Sequence, residues 1–155
     1  MITDKDVPVQ QTSMPDDLKR IAENYIKVAR KILEEEGNIK PMAFIGLGDD
    51  VAVFPWGNSP NTTFAANAIR HVCKKGKATW VIVLMESWLR RLDIEKPKRL
   101  EAVSFIVETR ERSWTGTALQ EERGGKKTFG EMKFNEAQSS AGTFVGLIPN
   151  EGTQH

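Results

Sequence analysis

Thr79-Trp-Val-Ile-Val-Leu-Met-Glu86 and Leu100-Glu-Ala-Val-Ser-Phe-Ile-Val-Glu108 are the two stretches on which the fold turns. Each is an apolar, β-branched run of strand length. Each ends in a glutamate, and a basic connector joins them. A carboxylate at the end of a core strand is a frequent catalytic position, so the pair needs an explanation. If the strands pair as antiparallel neighbours, Glu86 stands beside Leu100 and Glu101, at the connector end. Glu108 then stands opposite Ala78, at the far end. About eight residues at ~3.3 Å each separate the two carboxylates in that arrangement. They then share no substrate, proton or metal. A parallel crossover would bring them together, and the connector is about as short as a crossover can be.

Working outward, Ser13-Met-Pro-Asp16 reads as a helix start with Ser13 as N-cap. Leu18, Ile21, Ala22, Tyr25, Ile26, Ala29, Ile32 and Leu33 follow at helical spacing, and Gly37 supplies the stop. Glu34, Glu35 and Glu36 oppose the helix dipole and call for lysine partners such as Lys40. Residues 39–47 and 51–56 make a hairpin around Gly48-Asp49-Asp50. A second helix follows Asn58-Ser-Pro-Asn61, with Phe64, Ala65, Ala68, Ile69 and Val72 as its buried face. Past the central pair, residues 115–123 and 126–136 flank Gly124-Gly125, a two-residue hairpin signal. Residues 142–148 offer one more strand. The pattern α-β-β-α-β-β-β-β implies an α+β fold: a mainly antiparallel sheet of six or seven strands with two helices on one face. Residues 13–148 form the expected single domain, between tails at 1–12 and 149–155.

Composition narrows the function classes. The chain has 155 residues, 22 Lys+Arg against 21 Asp+Glu, and a net charge of +1. That balance gives no strong nucleic-acid signal. The longest apolar run, 80–85, is far short of the ~20 residues of a membrane helix, and the N-terminal residues lack a signal-peptide core. One cysteine, Cys73, precludes an intramolecular disulfide and fits a reducing, cytoplasmic setting. No cofactor motif is complete: Gly46-Leu-Gly48 lacks the third glycine and the helix of a dinucleotide loop.

Glu86 belongs with the connector end, among Trp88, Arg90, Arg91, Lys98, Arg99 and Glu101. Its plain reading is an ion pair with Arg99, with Trp88 stacked on a guanidinium. Glu108, Arg110 and Arg112 read as a solvated continuation of their strand. Glu131 and Lys133 form the Glu-x-Lys core of a metal nuclease motif. The hairpin register sets Glu122 against Lys127 and Glu131 against Ala118, so the two acids lie roughly 13 Å apart. One ion cannot bridge that. His71 and Cys73 point in different directions on their helix, and no zinc-type spacing surrounds them. Trp56, Trp88 and Trp114 fall at strand ends, where aromatics either plug the sheet or meet a partner.

Met85-Glu-Ser-Trp88, then Pro97-x-Arg99-x-Glu101-Ala-Val and a strand ending in Glu108, resembles a pattern in a scattered group of small, uncharacterised bacterial and phage-type proteins. The resemblance covers residues 77–112. It implies one intact domain and no particular activity.

The leading expectation is a non-enzymatic binding or assembly protein. Its binding residues are Glu86, Trp88, Arg90, Arg91, Arg99 and Glu101, and it meets a protein partner or a second copy of itself, with no metal, cofactor or membrane. The alternatives are a small metal-dependent hydrolase or nuclease using strand-end carboxylates, and a sensor of an anionic small ligand at the same basic patch.

Overall fold

The computed structural model describes residues 14–56, 62–91, 98–137 and 146–148, with the backbone alone at 88–91 and 98–99. Two helices, α1 (Asp16–Glu36) and α2 (Thr62–Gly76), accompany seven strands. These are β1 (Met42–Leu47), β2 (Asp50–Pro55), β3 (Trp80–Arg91), β4 (Lys98–Glu108), β5 (Ser113–Arg123), β6 (Lys126–Phe129) and β7 (Lys133–Glu136). All pairings are antiparallel, in the order β2-β1-β3-β4-β5-β6, with β7 on β5 beside β6. The class and element order are those the sequence implies.

The helices, however, lie on opposite faces. Leu18, Ala22, Ala29 and Leu33 of α1 pack on Phe44, Ile82, Leu84, Val103, Phe105 and Val107. Ala66, Ile69 and Cys73 of α2 pack on Ala43, Ile45, Val81 and Val83. The strand residues of the two sets alternate along the chain, so they point to opposite sides of the sheet. The reason is visible in the central run: Val81, Ile82, Val83 and Leu84 are all fully buried. A strand apolar at every position needs cover on both faces.

The β3–β4 register also differs from expectation. Glu86 pairs with Val103, and Glu108 pairs with Val81. The offset is an odd number of residues, which exchanges faces. Glu86 therefore lies on the α1 face and Glu108 on the α2 face, about five residues (~17 Å) apart along the sheet.

The Gly124-Gly125 hairpin has its expected register, with Glu122 opposite Lys127. Beyond it the second strand is broken by a bulge. Gln120 pairs with Phe129 and Thr117 with Lys133, so Gly130, Glu131 and Met132 oppose two residues, Ala118 and Leu119. The extra residue resets the alternation. Met132 and Phe134 thereby join Phe129 against the α1 core instead of facing away.

Four local expectations are corrected. The N-cap of α1 is Pro15, with no side-chain cap bond, and Ser13 lies outside the described residues. Gly37 does end the helix in a left-handed conformation, donating to Leu33 O at 2.9 Å. Glu34 accepts the Thr128 hydroxyl instead of a lysine. The buried face of α2 is Ala65, Ala66, Ile69 and Cys73, while Phe64 is 67% exposed. Residues 142–145 of the proposed last strand lie outside the described residues, and Gly146–Ile148 are not a strand.

Candidate functional site

At the connector end, β3 and β4 outrun their neighbours. β1 pairs with β3 only as far as Leu84, and β5 pairs with β4 only from Ala102. The β3–β4 ladder nevertheless continues through Trp88↔Glu101, Leu89↔Leu100, Arg90↔Arg99 and Arg91↔Lys98. Five of the six expected site positions, Trp88, Arg90, Arg91, Arg99 and Glu101, thus belong to one two-stranded ribbon. The side chains of Trp88, Arg90, Arg91 and Arg99 lie outside the described residues. The ladder sets Arg99 opposite Arg90, four positions from Glu86, whose own partners are elsewhere.

Glu86, the sixth position, is a clamp at the base of the ribbon. Its Oε1 accepts the Ile39 backbone N–H at 3.3 Å, and its Oε2 accepts Gln120 Nε2 at 2.8 Å. Gln120 also donates to Ala102 O. One carboxylate therefore ties the α1–β1 link to β3 and β5. Both Glu86 oxygens are thus engaged by Ile39 and Gln120, and the side chain of its expected partner Arg99 lies outside the described residues. Glu101 instead stands 3.6 Å from Lys127 Nζ, an exposed pair worth little by itself. Sequence reasoning missed Gln120. The signal was the alternation of β5, which sets Gln120 on the face of Trp114, Gly116 and Ala118.

Glu108 is buried at 4% exposure, where the strand pattern suggested solvent. Its Oε2 accepts the Ile148 N–H at 2.9 Å. Leu147 and Ile148 are buried against the α2 face. Arg70 Nε holds Gly146 O at 3.3 Å. Burial pushes the Glu108 carboxyl above its ordinary range, opposed by the amides of residues 146–148 and by the Arg70 charge. The neighbouring Cys73 thiol is pushed up to about 12 by burial and by Glu108. A thiol held protonated is not a nucleophile. The Glu108 group thus fastens a strap across the α2 face.

The other candidates are separate. Glu131 is exposed on the bulge, and Glu122 is exposed opposite Lys127. Among the described residues no three His, Cys, Asp or Glu side chains converge as a metal site. His71 is exposed. Trp114 is fully buried inside β5, beneath the Arg112 guanidinium, and so closes the sheet. Among the described residues no helix is long and apolar enough to cross a membrane.

No protein-family model, curated protein or solved structure matches the chain.

Proposed function

We propose that the chain is a binding or assembly protein, without catalytic chemistry of its own, that meets a partner through the β3–β4 ribbon. The observation that supports this reading is the unaccompanied ladder from Trp88↔Glu101 to Arg91↔Lys98. Its four pairs span ~13 Å with no neighbouring strand among the described residues. A two-stranded ribbon has little stability of its own. Two of its pairs make it weaker still. Arg90 is set against Arg99 and Arg91 against Lys98, and like charges directly opposite each other are destabilising. An acidic surface relieves that repulsion and adds charge-assisted hydrogen bonds.

An acidic protein surface suits the ribbon better than a polyphosphate. Asp93, Glu95 and Glu101 interrupt the basic residues, and the whole chain carries only +1. Such patterning favours a partner with patterned charge over a uniform polyanion. Trp88 adds the kind of side chain that anchors protein interfaces.

A photo-crosslinking residue placed at Leu89 tests this in the cells that make the protein. Discrete protein adducts should form from position 89 and not from position 31, an exposed site on α1. Arg90→Glu with Arg99→Glu should abolish them. Equal adducts from both positions, or adducts indifferent to charge reversal, would overturn the reading.

A further inference from the structure

A trough runs between α1 and the β6–β7 edge, on the side of the sheet clamped by Glu86. Its first part is a cavity of about 390 Å³. Met14, Ala22, Ile26, Met132 and Phe134 give it an apolar strip, bordered by Lys19, Glu23 and Lys133. The cavity volume falls in the ordinary range for small-ligand sites, roughly 300–1,000 Å³. The second part, about 500 Å³, is polar, lined by Arg30, Arg123, Lys126, Thr128 and Glu34 among others. Arg30 and Glu131 line both parts and so mark the junction.

The bulge builds this trough. Without its extra residue, Met132 and Phe134 would turn to the other face of the strand and the apolar lining would be lost. Arg30 is held in place at the junction. Its Nε donates to Phe129 O and its Nη2 to Gly130 O, both at 3.2 Å, and its guanidinium lies 4.5 Å from the Phe129 ring centroid. A guanidinium fixed by two carbonyls and a ring meets an anion with little loss of side-chain freedom. Those two bonds occupy Nε and Nη2. Lys126, close by, is exposed and adds a mobile charge. Two carboxylates line this part as well, Glu34, which accepts the Thr128 hydroxyl, and the exposed Glu131, so an anionic head is confined to the Arg30 and Lys126 side.

We infer that this trough binds a single-chain amphiphile with an anionic head, taken up as a free monomer, with the alkyl chain along Ile26, Met132 and Phe134 and the head at Arg30 and Lys126. The apolar strip of the first part adjoins the Arg30 and Lys126 cations of the second, in the order that such a molecule requires. A neutral or cationic head would leave the fixed Arg30 charge unmatched. The site is lined by α1, the β5–β6 hairpin and the bulge, and it does not rest on the ribbon's role in binding.

Titration of the whole chain with decyl phosphate below its micelle concentration, followed by calorimetry and by amide chemical shifts, tests the inference. Saturable binding should shift amides of α1 and of residues 129–134. Decanol should bind at least tenfold more weakly, and decyltrimethylammonium more weakly still. Arg30→Gln with Lys126→Glu should cost decyl phosphate at least tenfold and leave decanol unchanged. Ile26→Trp should abolish binding of both. Should that variant fail to fold, Met132→Trp blocks the same space from the sheet side. Equal affinity for the three heads, shifts located elsewhere, or binding only to anionic vesicles and not to the monomer would overturn it.

Discussion

The Glu108 carboxylate accepts the backbone N–H of Ile148 at 2.9 Å across 40 residues of chain. This bond fastens Gly146–Ile148 over the α2 face at the cost of keeping a carboxyl out of water. Burial raises its pKa from the ordinary 4.5, and the amides and Arg70 only partly oppose the shift. In the unfolded chain the proton leaves first. Stability from Glu108 is thus complete below pH 4.5 and declines as pH rises through the folded value. Glu108→Gln keeps an acceptor and cannot ionise. Its melting temperature should gain on that of the unaltered chain as pH rises from 4.5 through the raised folded value, then hold a constant lead. A gap that shrinks with pH would contradict the assignment. Glu108→Leu strands the Ile148 N–H and should cost about 1–3 kcal/mol.

Gly46 lies directly beneath the Trp80 indole. A Cβ at that position would stand 2.3 Å from Trp80 Cε2 and Nε1. Trp80 in turn tilts against Tyr25, whose ring stacks on Phe44. Shifting the indole would disturb this stack on the α1 face. Gly46→Ala should therefore destabilise by about 1–3 kcal/mol. Trp80→Leu makes room for the methyl group, so the double variant should lose less than the sum of the two single variants. Urea unfolding of the four chains measures the coupling. Additive losses would mean that the indole moves aside freely.

The sequence made the sheet legible because its signals are local. The Val-Ile-Val-Leu run, Gly124-Gly125 and Gly37 each act within a few residues. What it hid depends on residues far apart in the chain. The burial of Glu108 requires Ile148, and the role of Glu86 requires Ile39 and Gln120. The helix faces were readable in principle, since an unbroken apolar run asks for cover on both sides. The odd register offset was not, because the connector sets no turn type that would fix it. The bulge at residues 130–132 likewise leaves no mark beyond one glycine, and the α1 trough depends on it.

Glu86 holds two donors from distant elements, so its role as a clamp can be separated from any role in binding. Glu86→Ala leaves the Ile39 N–H and the Gln120 amide without their shared acceptor. The expected loss is about 1–3 kcal/mol in denaturant unfolding. Glu86→Gln keeps one acceptor oxygen and should lose less than half as much. Both should retain the ribbon's crosslinks at residual folded concentration. An Ala variant as stable as the unaltered chain would remove the clamp.

The ribbon predicts a trade between stability and binding. The backbone register sets Arg99 opposite Arg90 and Arg91 opposite Lys98, so residues of like charge share each cross-strand position. Arg99→Glu turns the first pair into an opposite-charge pair. Removing repulsion and adding attraction should stabilise the isolated chain by about 0.2–1 kcal/mol, with the larger gain at low salt. The same change should weaken contact with an acidic partner. A structural ribbon would move only the first readout, since nothing would then depend on its charge. A binding ribbon moves both, in opposite directions. Denaturant unfolding at two salt concentrations, set beside crosslinking from position 89, distinguishes the cases. A destabilised Arg99→Glu chain would show that the Arg90↔Arg99 pairing does not hold in solution.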